Sequence, residues 1–445
     1  MNILILAPVV LTTLFFAVDR DGGAFLTIAS GILDGKIPYR DFFDHKPPGL
    51  YYVFALLLGL SGRSIWGIKV FLLLLALSLA LLTALSLRKL GGDREAQWLG
   101  AVFSLLGWII YQGYTPVTET LVALCVAVAL VSIFSLQERA PVLVGFVLGL
   151  AIWAKQPAAI LLPVFIGYII ATRGWKAGLL SLGAALFPVL AVGVWLWAER
   201  LGQEAWQQIA IVNLTRLPIG SIRDMVKGNF NVLLAAPTMW VAAVLPFAFS
   251  RRREVYFLTG LLVLTWASSF VRPTLHSALA ILPMGAILAA LGFRWLRQGA
   301  GPQVRHALVF LLLTPLWIQT LFPTMAAFSH GILFQQIKVG QELEAMTGVG
   351  EPILVAAAEP QYYFFAHRYP PGQDVYLLGV NHSLETEEEM IAKIREGTVR
   401  VITIAENQYT EAYASSIRQY LETHCRQLST YPNLQAHIWG ECRLE

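Results

Sequence analysis

The stretch Asp19–Tyr52, DRDGGAFLTIASGILDGKIPYRDFFDHKPPGLYY, decides how the chain is read. It carries five aspartates (Asp19, Asp21, Asp34, Asp41, Asp44), His45 and several cations. An apolar segment, Met1–Val18, precedes it, and an apolar run resumes straight after it. A membrane bundle does not need such a loop to form. Charged groups close to lipid are costly and mark functional sites by default.

Outward from this loop, the composition fixes the class. The chain has 445 residues, of which 56% are hydrophobic and only 13% charged, with mean hydropathy +0.62. A soluble domain of this size would carry more charge. Apolar runs of roughly 18–22 residues recur, each long enough to cross a hydrocarbon core of about 30 Å. The chain reads as a polytopic α-helical membrane protein. Its net charge of +4 sits mostly in short loops, so it reports orientation and not nucleic-acid binding. Met1–Val18 has no basic n-region and no small-residue cleavage site, and reads as a first transmembrane helix, not a removed signal.

Within the loop, Ala24–Leu33 is apolar on one face and predicts an interfacial helix. Pro38 and Pro47-Pro48 interrupt the backbone, and Pro47-Pro48 can also start the next helix. Leu50–Gly62 is short for a span; Ile65–Ser86 is long enough for one. Beyond it come Gln97–Gln112, Glu119–Leu136, the short pair Pro141–Trp153 and Pro157–Ala171, Ala177–Trp197, Asn231–Phe249, Val255–Phe270, Ser277–Leu291 and Ala307–Phe322. A long polar loop is expected over Glu199–Phe230, with Asn213, Arg216 and Arg223 as polar groups that could gate an acceptor. Short basic loops begin at Arg88, Gln137, Arg173, Arg251 and Arg294, on every second turn. The positive-inside rule puts them in the cytoplasm, giving roughly eleven spans, the N-terminus inside and the C-terminus outside. The same alternation puts the 19–48 loop, Thr118-Glu119, Lys155-Gln156 and Arg272–His276 on the outer face.

From about Ala326 the pattern changes. Pro352–Pro360, Val375–Gly379 and Val399–Glu406 read as buried strands. Leu384–Gly397 and Glu411–His424 read as helices, so residues 326–445 predict a small extracytoplasmic α/β domain after a membrane domain over 1–325. Cys425 and Cys442 both fall in this tail. An oxidising compartment would permit a bridge between them, and two free thiols fit the sequence equally well.

The polar residues carry the chemistry. Asp19 and Asp21 lie just beyond a helix end, where a carboxylate can act as a general base, hold a metal or merely face water. Extended backbone would put both on one face; helical backbone would not. Lys46, on the stiff backbone before Pro-Pro, suits a phosphate oxygen, or snorkels. Glu119 opens a span, where helix capping alone would account for it. Lys155 sits between two short apolar runs. Arg272 can clamp a phosphate, while a lone His276 is more often structural. Together these suggest a lipid-phosphate substrate and acid–base transfer.

The loop also resembles the first outer loop of the GT-C glycosyltransferases, in particular bacterial relatives of protein O-mannosyltransferases and of the aminoarabinose transferase that modifies lipid A. The likeness rests on the acidic Asp19–Asp21 pair, the helix after it, IPYRD (Ile37–Asp41) and DHKPP (Asp44–Pro48). TPVTETLVAL (Thr115–Leu124), GLAIWAKQPA (Gly149–Ala158) and RPTLHSALAILP (Arg272–Pro283) support it. The resemblance implies a GT-C fold with a polyprenyl-phosphate sugar as donor. The acceptor would be a lipid, protein or glycan, and the enzyme would sit in a bacterial inner or plasma membrane. It implies Asp21 as the base that activates the acceptor, with Asp19 open to share that role because Gly22 stands where relatives often carry glutamate. It implies Glu119 as a second acidic position. Lys46, Arg272, His276 and Lys155 would be donor-phosphate ligands, with Arg40, Asp44, His45 and Gln156 in support. No cofactor is implied with certainty. A divalent metal stays open, since His45 stands where the lipid A enzyme has an acidic residue. A lipid or sugar transporter or flippase is the alternative reading, and a non-catalytic scaffold a third.

Overall fold

The computed structural model describes residues 7–135, 138–215, 221–270, 273–298, 301–357, 359–376 and 384–443. Arg272, Arg216 and Leu377–Gly379 of the expected strand lie outside them. The described residues are mostly helical. Five helices are long and apolar enough to cross a membrane: Ile65–Lys89, Gln156–Arg173, Trp175–Ala198, Leu275–Leu296 and Pro302–Met325. A sixth candidate is the pair Ile222–Ala235 and Pro237–Phe249, bent by 92°. The bend falls at Ala236, whose position before Pro237 disfavours helical backbone. Gly49–Leu60, Thr118–Phe134 and Ala140–Ala154 are shorter apolar helices.

The chain clusters into two compact units. The first comprises residues 1–14, 69–195 and 219–325. It is held by close helix contacts at small residues, as expected where lipid removes the hydrophobic drive for association. In Ala140–Ala154, a Cβ on Gly145 would stand 1.9 Å from the Ser181 carbonyl oxygen, and one on Gly149 2.3 Å from that of Ala185. This G-x-x-x-G seam therefore brings two backbones together where no larger residue fits. Elsewhere in this unit Tyr111 donates to the Val232 carbonyl at 3.1 Å and accepts from Trp240 Nε1 at 2.7 Å.

The second unit comprises residues 15–68, 196–218 and 326–445. Its helix Arg20–Leu33 is capped by Asp19, whose carboxylate accepts from the Gly22 amide. Gly22–Gly31 are all buried. A Cβ on Gly23 would meet the Gln361 amide nitrogen at 2.4 Å, which lets the short helix Gln361–Phe365 lie directly on it. Gln336 joins Val18 through both halves of its amide, at 3.0 and 2.9 Å.

The segment read as a polar loop, Glu199–Phe230, is instead largely helical. It contains Gly202–Ala205, a π-helical turn Trp206–Ile211, Val212–Thr215 and the start of Ile222–Ala235. Ser221 caps this last helix. Ile222, Val226 and Phe230 recur at i, i+4 and i+8, a helical spacing behind the Ser221 cap that the loop reading passed over.

The tail holds a four-stranded sheet of order β1-β2-β4-β3, with β1 Leu354–Ala356, β2 Ile402–Ala405, β3 Arg426–Tyr431 and β4 Ala436–Gly440. β1 and β2 are parallel, and the other pairs antiparallel. The helix Glu387–Arg395 lies between β1 and β2 and opens on a capping box, Thr386 with Glu389. It packs with Ser415–His424 on a core of Leu354, Ile394, Ile402, Ile404, Ile417 and Leu421. The β3–β4 hairpin had no expectation from sequence; its turn is Pro432–Leu434. Cys425 and Cys442 form a disulfide, and Cys125 is free.

Candidate active site

Within the second unit the expected site residues gather at the start of Arg20–Leu33 and at the Asp44–Pro48 turn. The backbone at Asp19 is extended and at Asp21 helical, so the two carboxylates sit in different surroundings. Asp19 holds the helix end, accepting from Gly22 N at 3.0 Å. Asp21, in the first turn, receives the Tyr376 hydroxyl at 3.3 Å and Arg20 Nε at 3.5 Å. Burial, and then the Asp21 and Asp44 charges, push the Tyr376 phenol well above its usual value; it therefore stays a proton donor to Asp21. The Arg20 guanidinium lies 4.7 Å from the Tyr409 ring centroid.

Asp44 is buried and accepts from the Lys46 amide at 3.0 Å. Burial raises its carboxyl above the usual range, against the pull of the Lys46 charge. The Lys46 ammonium lies against His45 Nε2, and the Tyr39 hydroxyl donates to the Lys46 carbonyl at 2.7 Å. Arg40 turns outward and pairs with Asp41 at 3.2 Å. Asp374 ties the tail to this loop: Phe43 N donates to the Gln373 carbonyl at 2.8 Å, and a Phe43–Asp374 bridge follows. Asp374 accepts the Leu384 and Glu385 amides at 2.6 and 2.7 Å, and burial pushes its carboxyl up to about 7.

The first unit holds a separate cluster. Glu119, at the start of Thr118–Phe134, is buried. It pairs with Lys155, accepts the Thr118 hydroxyl at 2.7 Å and lies 3.8 Å from His276 Nε2. Three of the positions singled out from sequence are thus one contact group, and a carboxylate so partnered is more than a helix cap. Gln156 opens the 3₁₀ turn that follows Lys155. Ser277 closes a capping box with Thr274.

Sequence reasoning missed Tyr376, concealed in a strand-like run. It also missed Lys69, which is 2% exposed and donates to the Tyr114 carbonyl at 3.3 Å, just before Glu119. A lone lysine one turn into a 25-residue apolar helix was the available signal. Among the described residues, no three His, Cys, Asp or Glu side chains form a group that could hold a metal ion.

Residues 45–197 match the family model described as dolichyl-phosphate-mannose-protein mannosyltransferase. ArnT from Cupriavidus metallidurans in the apo state superposes with TM-score 0.68 at 13% identity, over 98% of this chain and 96% of that one. The same protein bound to undecaprenyl phosphate gives 0.64 at 13% identity, over 98% and 97%. The Archaeoglobus fulgidus oligosaccharyltransferase tethered with an acceptor peptide gives 0.54 at 12% identity, over 97% and 73%. A search of curated proteins finds no match. The fold is that of ArnT. With the mannosyltransferase match inside it, the class is that of a membrane glycosyltransferase.

Proposed function

We propose that the chain is an inverting glycosyltransferase that moves a sugar from a polyprenyl-phosphate donor to an acceptor hydroxyl at the outer face of a bacterial plasma membrane. The observation that carries this reading is the pairing, within one unit, of a helix-start carboxylate with a proton donor and a turn that presents Lys46. Asp21 takes the acceptor proton as the acceptor oxygen attacks the anomeric carbon. The bond from that carbon to the phosphate oxygen breaks, the configuration inverts, and polyprenyl phosphate leaves. Lys46 and Arg272 stabilise its charge, an electrostatic contribution that needs no general acid. Lys155 and His276 are proposed as further phosphate ligands, oriented by Glu119. Loop charges support roughly eleven spans, with the N-terminus inside and the tail outside. Among the described residues the three shorter apolar helices are further candidates beside the five to six long ones.

The test is to offer purified protein a panel of polyprenyl-phosphate sugars and follow release of polyprenyl phosphate, with Lys46→Ala alongside. Turnover by wild type, with a raised donor KM for Lys46→Ala, supports the reading. The alternative, a carrier, draws on the bent pair at Ala236 and the expectation of broken helices in transporters. Donor binding without turnover, and flux into vesicles, would replace the transferase reading with it.

A further inference from the structure

The backbone that presents Lys46 is strained and held from outside. Tyr39 has φ +72°, a left-handed conformation that is strained for a bulky residue and persists only where surroundings enforce it. The enforcing groups come from residues 206–215. Gln208, itself buried, donates Nε2 to the Tyr39 carbonyl at 2.9 Å and accepts the Asp44 amide on Oε1 at 3.1 Å. Asn213 donates Nδ2 to the His45 carbonyl at 2.8 Å. Two side-chain amides thus grip the loop at Tyr39, Asp44 and His45, immediately before Lys46.

Their alignment has a local cause. Gln208 and Asn213 are five residues apart. At about 100° per residue, an α-helix would separate them by roughly 140° and turn one amide away. Trp206–Ile211 is π-helical, and in that geometry the i and i+5 positions come back onto one face. The π turn and the left-handed Tyr39 are two local irregularities, facing each other through Gln208.

We propose that Gln208 and Asn213 are positioning residues of the donor-phosphate site, fixing the backbone so that the Lys46 ammonium is presented in one place to a polyprenyl phosphate. The segment they belong to then serves the donor end of the reaction, not an acceptor gate. The proposal rests on the reading of Lys46 given above.

The test uses the full chain in nanodiscs. It measures undecaprenyl phosphate affinity, and kcat and KM for the donor sugar, for Gln208→Leu, Lys46→Ala and their double mutant. Gln207→Ala, an exposed neighbour in the same turn, is the control. Gln208→Leu is expected to weaken undecaprenyl phosphate binding about tenfold and raise donor KM by the same factor, with kcat and acceptor KM within about twofold. Lys46→Ala is expected to cost markedly less in the Gln208→Leu background than in wild type, the non-additivity of a shared site. Additive losses, or unchanged affinity in Gln208→Leu where Lys46→Ala loses it, would overturn the positioning role alone. Unchanged affinity in Lys46→Ala would overturn the donor reading and this proposal with it. If Gln208→Leu does not fold, Asn213→Ala, which removes one donor, takes its place in the same cycle.

Discussion

At the residue scale, one change of backbone sets two aspartates two positions apart in different surroundings. Asp19 in extended backbone caps a helix; Asp21 in the first turn faces Tyr376. Asp19→Ala is therefore expected to cost about 1 kcal/mol of stability, seen as a lower unfolding midpoint, with the pH dependence of turnover unchanged. Tyr376→Phe removes a donor to the ionised Asp21. Its loss is expected to lower kcat/KM for sugar transfer, checked by comparing release of polyprenyl phosphate with wild type. The residue types were legible in the sequence. Which aspartate caps the helix was not, because it depends on where the helix begins, and a two-residue shift would put Asp21 at the cap. Tyr376, more than 350 positions from Asp21, gives no local sign of its partner.

At the element scale, helix starts were read within a few residues where a cap or proline marks them, as at Pro47-Pro48. The irregular parts were not. The π turn and the β3–β4 hairpin are set by tertiary contacts that override weak local periodicity. One element offers a pH test. Asp374 accepts the Leu384 and Glu385 amides, and its folded pKa of about 7 lies above the ordinary value near 4. Between these values the folded state keeps a proton that the unfolded state has released. The stabilisation from protonated Asp374 is then complete below about pH 4 and is lost as the pH rises through 7. Limited proteolysis of the tail should accelerate from pH 5 to pH 8 in wild type, and much less in Asp374→Asn.

At the scale of the whole molecule, the class came from composition and the spacing of apolar runs, and the GT-C likeness from one loop. What the sequence hides is that the polar first loop and the tail belong to one compact unit. The Val18–Gln336 pair and the Phe43–Asp374 bridge join residues more than 300 positions apart, and no linear pattern encodes them. A chain cut after Met325 should therefore lose more than a cover. Residues 19–48 should become sensitive to protease while the first unit, assayed by its own resistance, stays folded. An intact first loop in the cut chain would contradict this account of the unit.

The most direct test of the central claim separates donor binding from chemistry at Asp21. Undecaprenyl-phosphate sugar affinity and the rate of undecaprenyl phosphate release are measured in wild type and Asp21→Asn, both shown to be folded. If Asp21 is the base, affinity stays within about twofold while release falls by about 10²–10⁴-fold, the usual span for a general base. Release by Asp21→Asn at the wild-type rate would contradict the mechanism.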